Sequence, residues 1–153
     1  MLGAVAHVGI TVRDMDKAVE FYRDTLGLKV IGDVTIDGQE ASTVTQVPNT
    51  TLRAVYLRYK DDPTSPPIEL LHFIEPGETG KPYPGLANPG ITEVAFWVKD
   101  IDKTYEDLRA KGVEFYSAPQ LFDLEGEGYG KVKAVYFRDP DGTTLELMQN
   151  CPD

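Results

Sequence analysis

The chain has 153 residues, of which 41% are hydrophobic and 26% are charged, so its length and composition are those of one globular domain with a core of its own. Lys and Arg number 15 against 25 Asp and Glu, and the formal net charge of -10 argues against general binding to nucleic acid or to an anionic membrane, which both need clustered basic residues. The single cysteine, Cys151, excludes an intramolecular disulfide. The sequence shows neither the pattern of a signal peptide nor an apolar segment long enough to span a membrane, so we expect a soluble, cytoplasmic protein.

The first half predicts a strand, a helix and three more strands. Residues 7–12 alternate apolar side chains with polar ones or glycine, which indicates a half-buried strand. Asp14 or Asp16 then caps a helix whose apolar residues keep helical spacing until Gly27. The three following strands are predicted near residues 28–34, 52–59 and 67–74.

The second half predicts the same succession after a connection. Residues 75–90 contain four prolines and four glycines, a composition typical of a linker. A strand over 92–98 and a helix over 101–111 follow, with Gly112 as the stop signal. The remaining strands are predicted near 113–117, 131–138 and 143–149, with a tight turn at 139–142.

The two halves are repeats of one unit. Residues 7–17 align with residues 93–103 at an offset of 86, and three further blocks align in the same order at offsets of 85, 80 and 77. Each half is therefore a βαβββ module. We predict module one at about 4–74, the linker at about 75–90 and module two at about 91–150 of a single domain that spans residues 1–153.

Four residues at repeat-related strand positions have the chemistry of a metal site: His7, Glu69, Glu93 and Glu146. Glutamate is depleted in strands and is seldom buried without a partner, yet Glu69 and Glu146 are each surrounded by apolar residues. If the two sheets curve together, all four side chains converge on one concave face. Three carboxylates and an imidazole would suit a divalent ion such as Mn, Fe, Ni, Co, Zn or Mg. The alternatives are a core histidine and glutamates paired with Lys or Arg.

The motifs that surround these residues resemble those of the vicinal oxygen chelate superfamily. They are His7-Val-Gly-Ile-Thr-Val-Arg-Asp14, Ala18-Val-Glu-Phe-Tyr-Arg-Asp-Thr-Leu-Gly27 and Phe137-Arg-Asp-Pro-Asp-Gly-Thr-Thr-Leu-Glu146. This superfamily includes glyoxalase I, methylmalonyl-CoA epimerase, extradiol dioxygenases and the fosfomycin and bleomycin resistance proteins. The glyoxalase I and epimerase branches are the most similar. The resemblance implies an α+β fold in which two βαβββ modules form a cupped, eight-stranded mixed barrel around a divalent metal, in many members as a homodimer.

Carried over position by position, the resemblance implies that His7, Glu69, Glu93 and Glu146 are the metal ligands. Glu93 departs from the pattern, because this position is usually His in the glyoxalases, epimerases and dioxygenases. The substitution raises the negative charge of the site. It argues against an extradiol dioxygenase, whose chemistry resembles that of a site with two histidines and one carboxylate.

Five aromatic residues are candidates for a substrate pocket: Tyr56, Trp97, Phe122, Tyr129 and Tyr136. The two repeat-equivalent tyrosines, Tyr56 and Tyr136, face the cavity or pack in the core. Trp97 shares the face of Glu93 and lines the pocket or fills the barrel. The glycine-rich residues 121–130 form a lid that carries Phe122 and Tyr129, or a mobile loop.

The leading hypothesis is a divalent-metal-dependent lyase or isomerase that enolises a small, oxygen-chelating substrate. Glu146 is the expected base and Glu69 the alternate. We expect a small-molecule substrate and a homodimer, with no nucleic-acid or membrane partner. The first alternative is a metal-free protein that binds or sequesters a small molecule, as antibiotic-resistance proteins do. The second is an extradiol-type dioxygenase.

Overall fold

The computed structural model describes residues 1–60 and 62–152. The chain divides into two compact units, Met1–Gly80 and Lys81–Asp153. Each unit carries a four-stranded mixed sheet with its own strand order, and each is described by itself below.

The first unit places its strands in the spatial order β1-β4-β3-β2, with β1 parallel to β4 and the other pairs antiparallel. Its elements are β1 (Val8–Thr11), α1 (Met15–Val19) continued by a π-helical turn (Glu20–Thr25), β2 (Lys29–Ile36), α2 (Gly38–Thr45), β3 (Thr51–Arg58) and β4 (Ile68–Glu75).

The first helix begins and ends where local chemistry requires. Asp14 Oδ1 accepts a hydrogen bond from Lys17 N at 3.1 Å, so Asp14 rather than Asp16 is the N-cap. At the other end Gly27 has a φ of 81°, which glycine adopts without steric cost. Leu28 N then donates to the Tyr22 carbonyl at 3.0 Å and satisfies one carbonyl of the last turn.

The second unit repeats this arrangement with strand order β5-β8-β7-β6 and β5 parallel to β8. Its elements are β5 (Val94–Trp97), α3 (Ile101–Ala110), β6 (Gln120–Leu124), a 3₁₀ turn (Glu125–Glu127), β7 (Gly130–Arg138) and β8 (Thr144–Asn150). Asp100 caps α3 through Lys103 N at 2.9 Å. In the predicted turn at 139–142, Asp139 Oδ1 accepts hydrogen bonds from the backbone N–H groups of Asp141 and Thr143.

Alternation along the strands separates the two faces of each sheet. In the first unit Val55, Leu57 and Leu70 are buried on one face of the sheet. Met15 and Ala18 of α1 are buried as well. The opposite face carries Tyr56 and Glu69, which are partners in the β3–β4 register. The second unit repeats this division. Its buried apolar residues are Ile101, Leu108, Val135, Phe137, Leu145 and Leu147, whereas Tyr136 and Glu146 are partners on the other face.

Two expectations for the second unit are wrong. No strand forms over 113–117, where only Phe115 makes an isolated bridge, to Phe137. The chain bends at Ser117 and Ala118, and Pro119, which lacks an N–H, cannot donate to a ladder. The strand lies instead at Gln120–Leu124 and pairs with β7, so residues 121–130 form a strand, a 3₁₀ turn and the start of β7 rather than a mobile loop.

The α+β class with duplicated βαβββ order is confirmed, with two differences. The first unit contains an unpredicted helix, α2, between β2 and β3, whose Thr45 and Ser42 side chains bond to Thr50 at the entry to β3. The eight strands form two four-stranded sheets rather than one continuous eight-stranded barrel. In the part of the chain that is described, no helix is long and apolar enough to cross a membrane.

Candidate functional site

Glu69 is the most constrained of the predicted site residues. It lies in β4 with only 8% of its surface exposed. Its Oε2 atom is 3.1 Å from His7 Nε2, and its Oε1 atom accepts a hydrogen bond from the Tyr56 hydroxyl. The imidazole and the phenol also meet edge to face, with ring centroids 6.0 Å apart. Both carboxylate oxygens of Glu69 therefore have a partner within the first unit.

Strand register explains how these side chains meet. Gly9 of β1 is the partner of Glu69, Glu69 is the partner of Tyr56, and Tyr56 is the partner of Gly32 in β2. Since cross-strand partners share a face, these residues form one row across the four strands. His7 precedes Gly9 by two residues, and in an extended chain it therefore projects on the same side.

The two glycines of this row, Gly9 and Gly32, leave space around Glu69 and Tyr56. A Cβ atom at Gly9 would lie 3.6 Å from Glu69 Oε2, and a Cβ atom at Gly32 would lie 3.4 Å from Tyr56 Cδ2. Sequence reasoning did not single out either glycine. The available signal was Gly9 itself, because glycine inside a strand often marks a close approach.

Glu146 occupies the equivalent place in the second unit but has a different environment. It is 7% exposed, and Tyr136 and Ala95 are its partners across the strands. No hydrogen bond or ion pair joins the Glu146 carboxylate to another described residue. Burial, and then the nearby carboxylate of Glu93, raise the pKa of Glu146. Glu93 and Glu146 thus interact electrostatically within this unit.

The two equivalent tyrosines also differ. The pKa of Tyr56 is raised first by its hydrogen bond to Glu69 and then by burial. The pKa of Tyr136 is raised first by burial and then by the charges of Glu146 and Glu93. Tyr56 is therefore bonded to its glutamate, whereas Tyr136 only lies near its own.

The other aromatic candidates belong to the second unit. Trp97 pairs with Met148 and lies on the face of Glu146, with 64% of its surface exposed. Phe122 pairs with Val132, which alternation places on the face of Tyr136. Tyr129 is 78% exposed and lies outside the strands, between the 3₁₀ turn and β7.

Sequence reasoning missed one further aromatic residue on this face, Tyr116. Its ring centroid is 6.2 Å from that of Tyr136. Its hydroxyl is 2.7 Å from Thr144 Oγ1. The expected strand over 113–117 concealed this residue, because Tyr116 lies where that strand breaks.

The donor chemistry suits a divalent cation. His7 Nε2 and Glu69 Oε2 are 3.1 Å apart, close to the separation of about 3.0 Å between neighbouring ligands of an octahedral ion with bonds of about 2.1 Å. In the second unit, Glu93 and Glu146 are like charges that a cation would stabilise. The described residues contain no cluster of three or more His, Cys, Asp or Glu side chains that could hold a metal ion.

Comparison with known proteins identifies the family. Residues 4–147 match the Glyoxalase/Bleomycin resistance protein/Dioxygenase superfamily. The chain belongs to this superfamily. Among its relatives in the superfamily is a 2-epi-5-epi-valiolone epimerase from Actinomyces sp., 32% identical over 148 residues that cover 95% of this chain and 78% of the relative. A lactoylglutathione lyase from Haemophilus influenzae is 25% identical over 148 residues, which cover 95% and 92% of the two chains.

Solved structures of the superfamily have the same fold. A glyoxalase family protein from Bacillus cereus superposes with a TM-score of 0.85 at 22% identity, covering 99% of this chain and 97% of the other. The trypanothione-dependent glyoxalase I of Leishmania major superposes with a TM-score of 0.67 at 22% identity, covering 97% and 87%. The resemblance expected from the motifs is thereby confirmed, as is the fold.

Proposed function

We propose that this protein is a divalent-metal-dependent lyase or isomerase that acts by enolisation of a small, oxygen-chelating substrate. The names of two relatives, a lactoylglutathione lyase and an epimerase, support this class of reaction. The observation that carries the proposal is the unequal environment of two repeat-equivalent glutamates. Glu69 has a partner on each oxygen, whereas Glu146 is buried beside Glu93 without a hydrogen-bond partner among the described residues.

The proposed ligands are His7 with Glu69 in the first unit and Glu93 with Glu146 in the second. A bound divalent cation would supply Lewis-acid polarisation of a substrate carbonyl. The buried position of Glu69 and Glu146 limits competition from water and strengthens electrostatic interactions with a substrate.

Glu146 is the proposed base. Its carboxylate removes a proton from the carbon next to the substrate carbonyl, and the electron pair of the broken C–H bond moves into the carbonyl group. Protonated Glu146 then returns that proton to the neighbouring carbon or to the opposite face. In the protein without metal, burial and then the Glu93 charge raise the pKa of Glu146. Glu69 is the alternate base.

The metal requirement is tested by elemental analysis of gently purified protein, with Glu93→Ala as the variant. About one divalent ion per site, lost or weakened in the variant, is the expected result. Protein that takes up no Mn²⁺, Ni²⁺, Fe²⁺, Co²⁺, Zn²⁺ or Mg²⁺ would contradict the proposal.

The proton transfer is tested by deuterium incorporation from D₂O into α-hydroxyketones and β-ketoacyl thioesters, followed by mass spectrometry. Glu146→Gln, assayed at saturating divalent metal because Glu146 is also a proposed ligand, is expected to lower exchange by at least about 100-fold, because general-base catalysis contributes that much. Glu127→Gln, at an exposed glutamate of the 3₁₀ turn, is the matched control and should exchange like the unmodified protein. Equal exchange by both variants would remove Glu146 from the mechanism.

A second candidate function is metal-free binding of an aromatic compound. Trp97, Phe122 and Tyr129 are large aromatic side chains that are about half exposed or more, which favours this candidate. This function requires tight binding of a ligand that is not converted. A chelator should leave the binding unchanged. Quenching of Trp97 fluorescence by aromatic ligands, before and after dialysis against EDTA, separates the two functions.

A further inference from the structure

Tyr56 stands apart from the other aromatic residues around the site because its hydroxyl donates to a proposed metal ligand. It donates to Glu69 Oε1 and leaves Glu69 Oε2 facing His7 Nε2 at 3.1 Å. A hydrogen bond to one carboxylate oxygen restricts the rotation of the carboxylate and therefore favours one orientation of the other oxygen. The phenol therefore controls which oxygen of Glu69 is open to a cation.

The neighbouring strand leaves room for the phenol. The Tyr56 ring lies across from Gly32, where an added Cβ atom would be 3.4 Å from Cδ2 and 3.8 Å from the Tyr56 Cβ atom. The Tyr56 ring also contacts the His7 ring edge to face. On the opposite side of Glu69, Gly9 has no side chain to cover Oε2. One oxygen of Glu69 is thus bonded to Tyr56, and the other lies beside Gly9 and His7 Nε2.

The second unit provides an internal comparison. Tyr136 is the register partner of Glu146, as Tyr56 is of Glu69, yet no hydrogen bond connects Tyr136 and Glu146 among the described residues. Ala95 occupies the place that corresponds to Gly9. The same strand positions therefore produce a fixed carboxylate in one unit and an unbonded carboxylate in the other.

We propose that Tyr56 is a positioning residue that holds Glu69 through Oε1, so that Glu69 presents only Oε2, beside His7 Nε2, to a divalent cation. This inference rests on the metal site of the proposed function. It assigns to Tyr56 a role other than substrate binding. It also disfavours Glu69 as the alternate base and leaves Glu146 as the base of the proposed function, because one oxygen of Glu69 is bonded to the phenol and the other faces the imidazole.

The test is a Co²⁺ titration of the full chain after metal removal, with Tyr56→Phe as the variant. Co²⁺ affinity and d–d absorption are read by calorimetry and spectroscopy. Tyr56→Phe keeps the ring against Gly32 and removes only the hydroxyl. We expect it to weaken Co²⁺ binding about 10-fold and to change the Co²⁺ spectrum, because residues that orient a ligand typically contribute 10- to 100-fold.

The matched control is Tyr59→Phe, at an exposed tyrosine just after β3, which should bind Co²⁺ like the unmodified protein. Thermal unfolding of each variant shows whether it is folded. Tyr56→Leu, which removes ring and hydroxyl together, provides a second folded variant if Tyr56→Phe is unstable, and the same loss of affinity is expected.

The outcomes separate the two proposals. If the unmodified protein binds Co²⁺ and the folded Tyr56 variants match it in affinity and spectrum, the role of Tyr56 is wrong and the metal site stands. If the unmodified protein binds no Co²⁺, the metal site is wrong and the role of Tyr56 falls with it.

Discussion

At the scale of single residues, two glutamates in the same register position have different surroundings. Glu69 interacts with an imidazole and a phenol, whereas Glu146 has a buried carboxylate beside Glu93. A carboxyl group whose pKa is raised by burial and by a neighbouring carboxylate lowers the stability of the fold at neutral pH, because its ionised form is less favourable in the fold than in the unfolded chain. Such a cost is typical of residues retained for function.

Replacement of Glu146 should therefore stabilise the metal-free protein. We expect Glu146→Leu to raise the free energy of unfolding by about 1 kcal/mol, since the substitution removes an unbonded carboxylate and its repulsion from Glu93. Urea denaturation of protein without metal measures the change. Glu127→Leu, at an exposed position, should give no such gain. A less stable Glu146→Leu variant would show that the carboxylate has a favourable partner in the fold.

The sequence identified the chemistry of these residues but not their partners. The positions of His7, Glu69, Glu93 and Glu146 are visible from the repeat alone. The hydrogen bond from Tyr56 to Glu69, and its absence at Tyr136, depend on side-chain rotation and on the space left by neighbouring residues such as Gly9 and Gly32. Strand periodicity contains no such information.

At the scale of elements, a charged cluster joins β2, β3 and α1 on the helix-facing side of the first sheet. Arg53 of β3 donates two hydrogen bonds to Asp33 of β2, at 3.0 and 2.7 Å, and one to Asp16 of α1 at 3.0 Å. These bonds hold the pKa of Asp33 below its ordinary value of 3.8. The cluster explains why Asp16, which does not cap the helix, still has a structural role.

This cluster predicts a pH dependence of stability. A carboxyl group whose folded-state pKa is depressed stabilises the fold above its unfolded pKa, and that contribution is lost as pH falls through the folded-state value. We expect Asp33→Asn to lower the free energy of unfolding by about 0.5–1 kcal/mol at pH 7, a small effect because the pair is partly exposed. The difference from the unmodified protein should shrink as pH falls below about 4.

Chemical denaturation at pH 7 and at pH 3 measures this difference. Asp37→Asn is the control, because the Asp37 side chain makes no capping hydrogen bond. An Asp33→Asn effect that is equally large at both pH values would mean that the ion pair is not its source.

Elements with clear periodicity and caps were predicted well, and the exceptions have identifiable causes. The helices that follow Asp14 and Asp100 begin at those caps. The strand expected over 113–117 fails because the bend before Pro119 interrupts pairing. Helix α2 has only two apolar side chains, Ala41 and Val44, so its sequence shows no clear apolar face.

At the scale of the whole molecule, each unit has a separate apolar core on the helix-facing side of its sheet. Leu57 and Phe137 are repeat-equivalent, and both have no exposed surface. Their burial removes a large apolar area from water in each unit. The two cores are therefore expected to contribute comparably to stability.

Truncation of either residue should be strongly destabilising. We expect Leu57→Ala to cost about 2–5 kcal/mol and Phe137→Ala about 3–5 kcal/mol, since each leaves a cavity in a closely packed core. Urea denaturation followed by circular dichroism measures both. Leu121→Ala, at a residue with 56% of its surface exposed, should change stability by less than about 0.5 kcal/mol. An effect of that small size at Phe137 would contradict the assignment of this residue to the core.

The sequence by itself determined the duplication, the α+β class, the superfamily and the identity of the candidate ligands, because repeats, periodicity and residue chemistry are local properties of the chain. Only the tertiary structure decided that the Glu69 carboxylate is bonded to Tyr56 and that the Glu146 carboxylate has no hydrogen bond to a described residue. It also decided that Gln120–Leu124 rather than residues 113–117 completes the second sheet. These outcomes depend on cross-strand register and on the space that neighbouring strands leave, and both arise only when residues distant in sequence pack together.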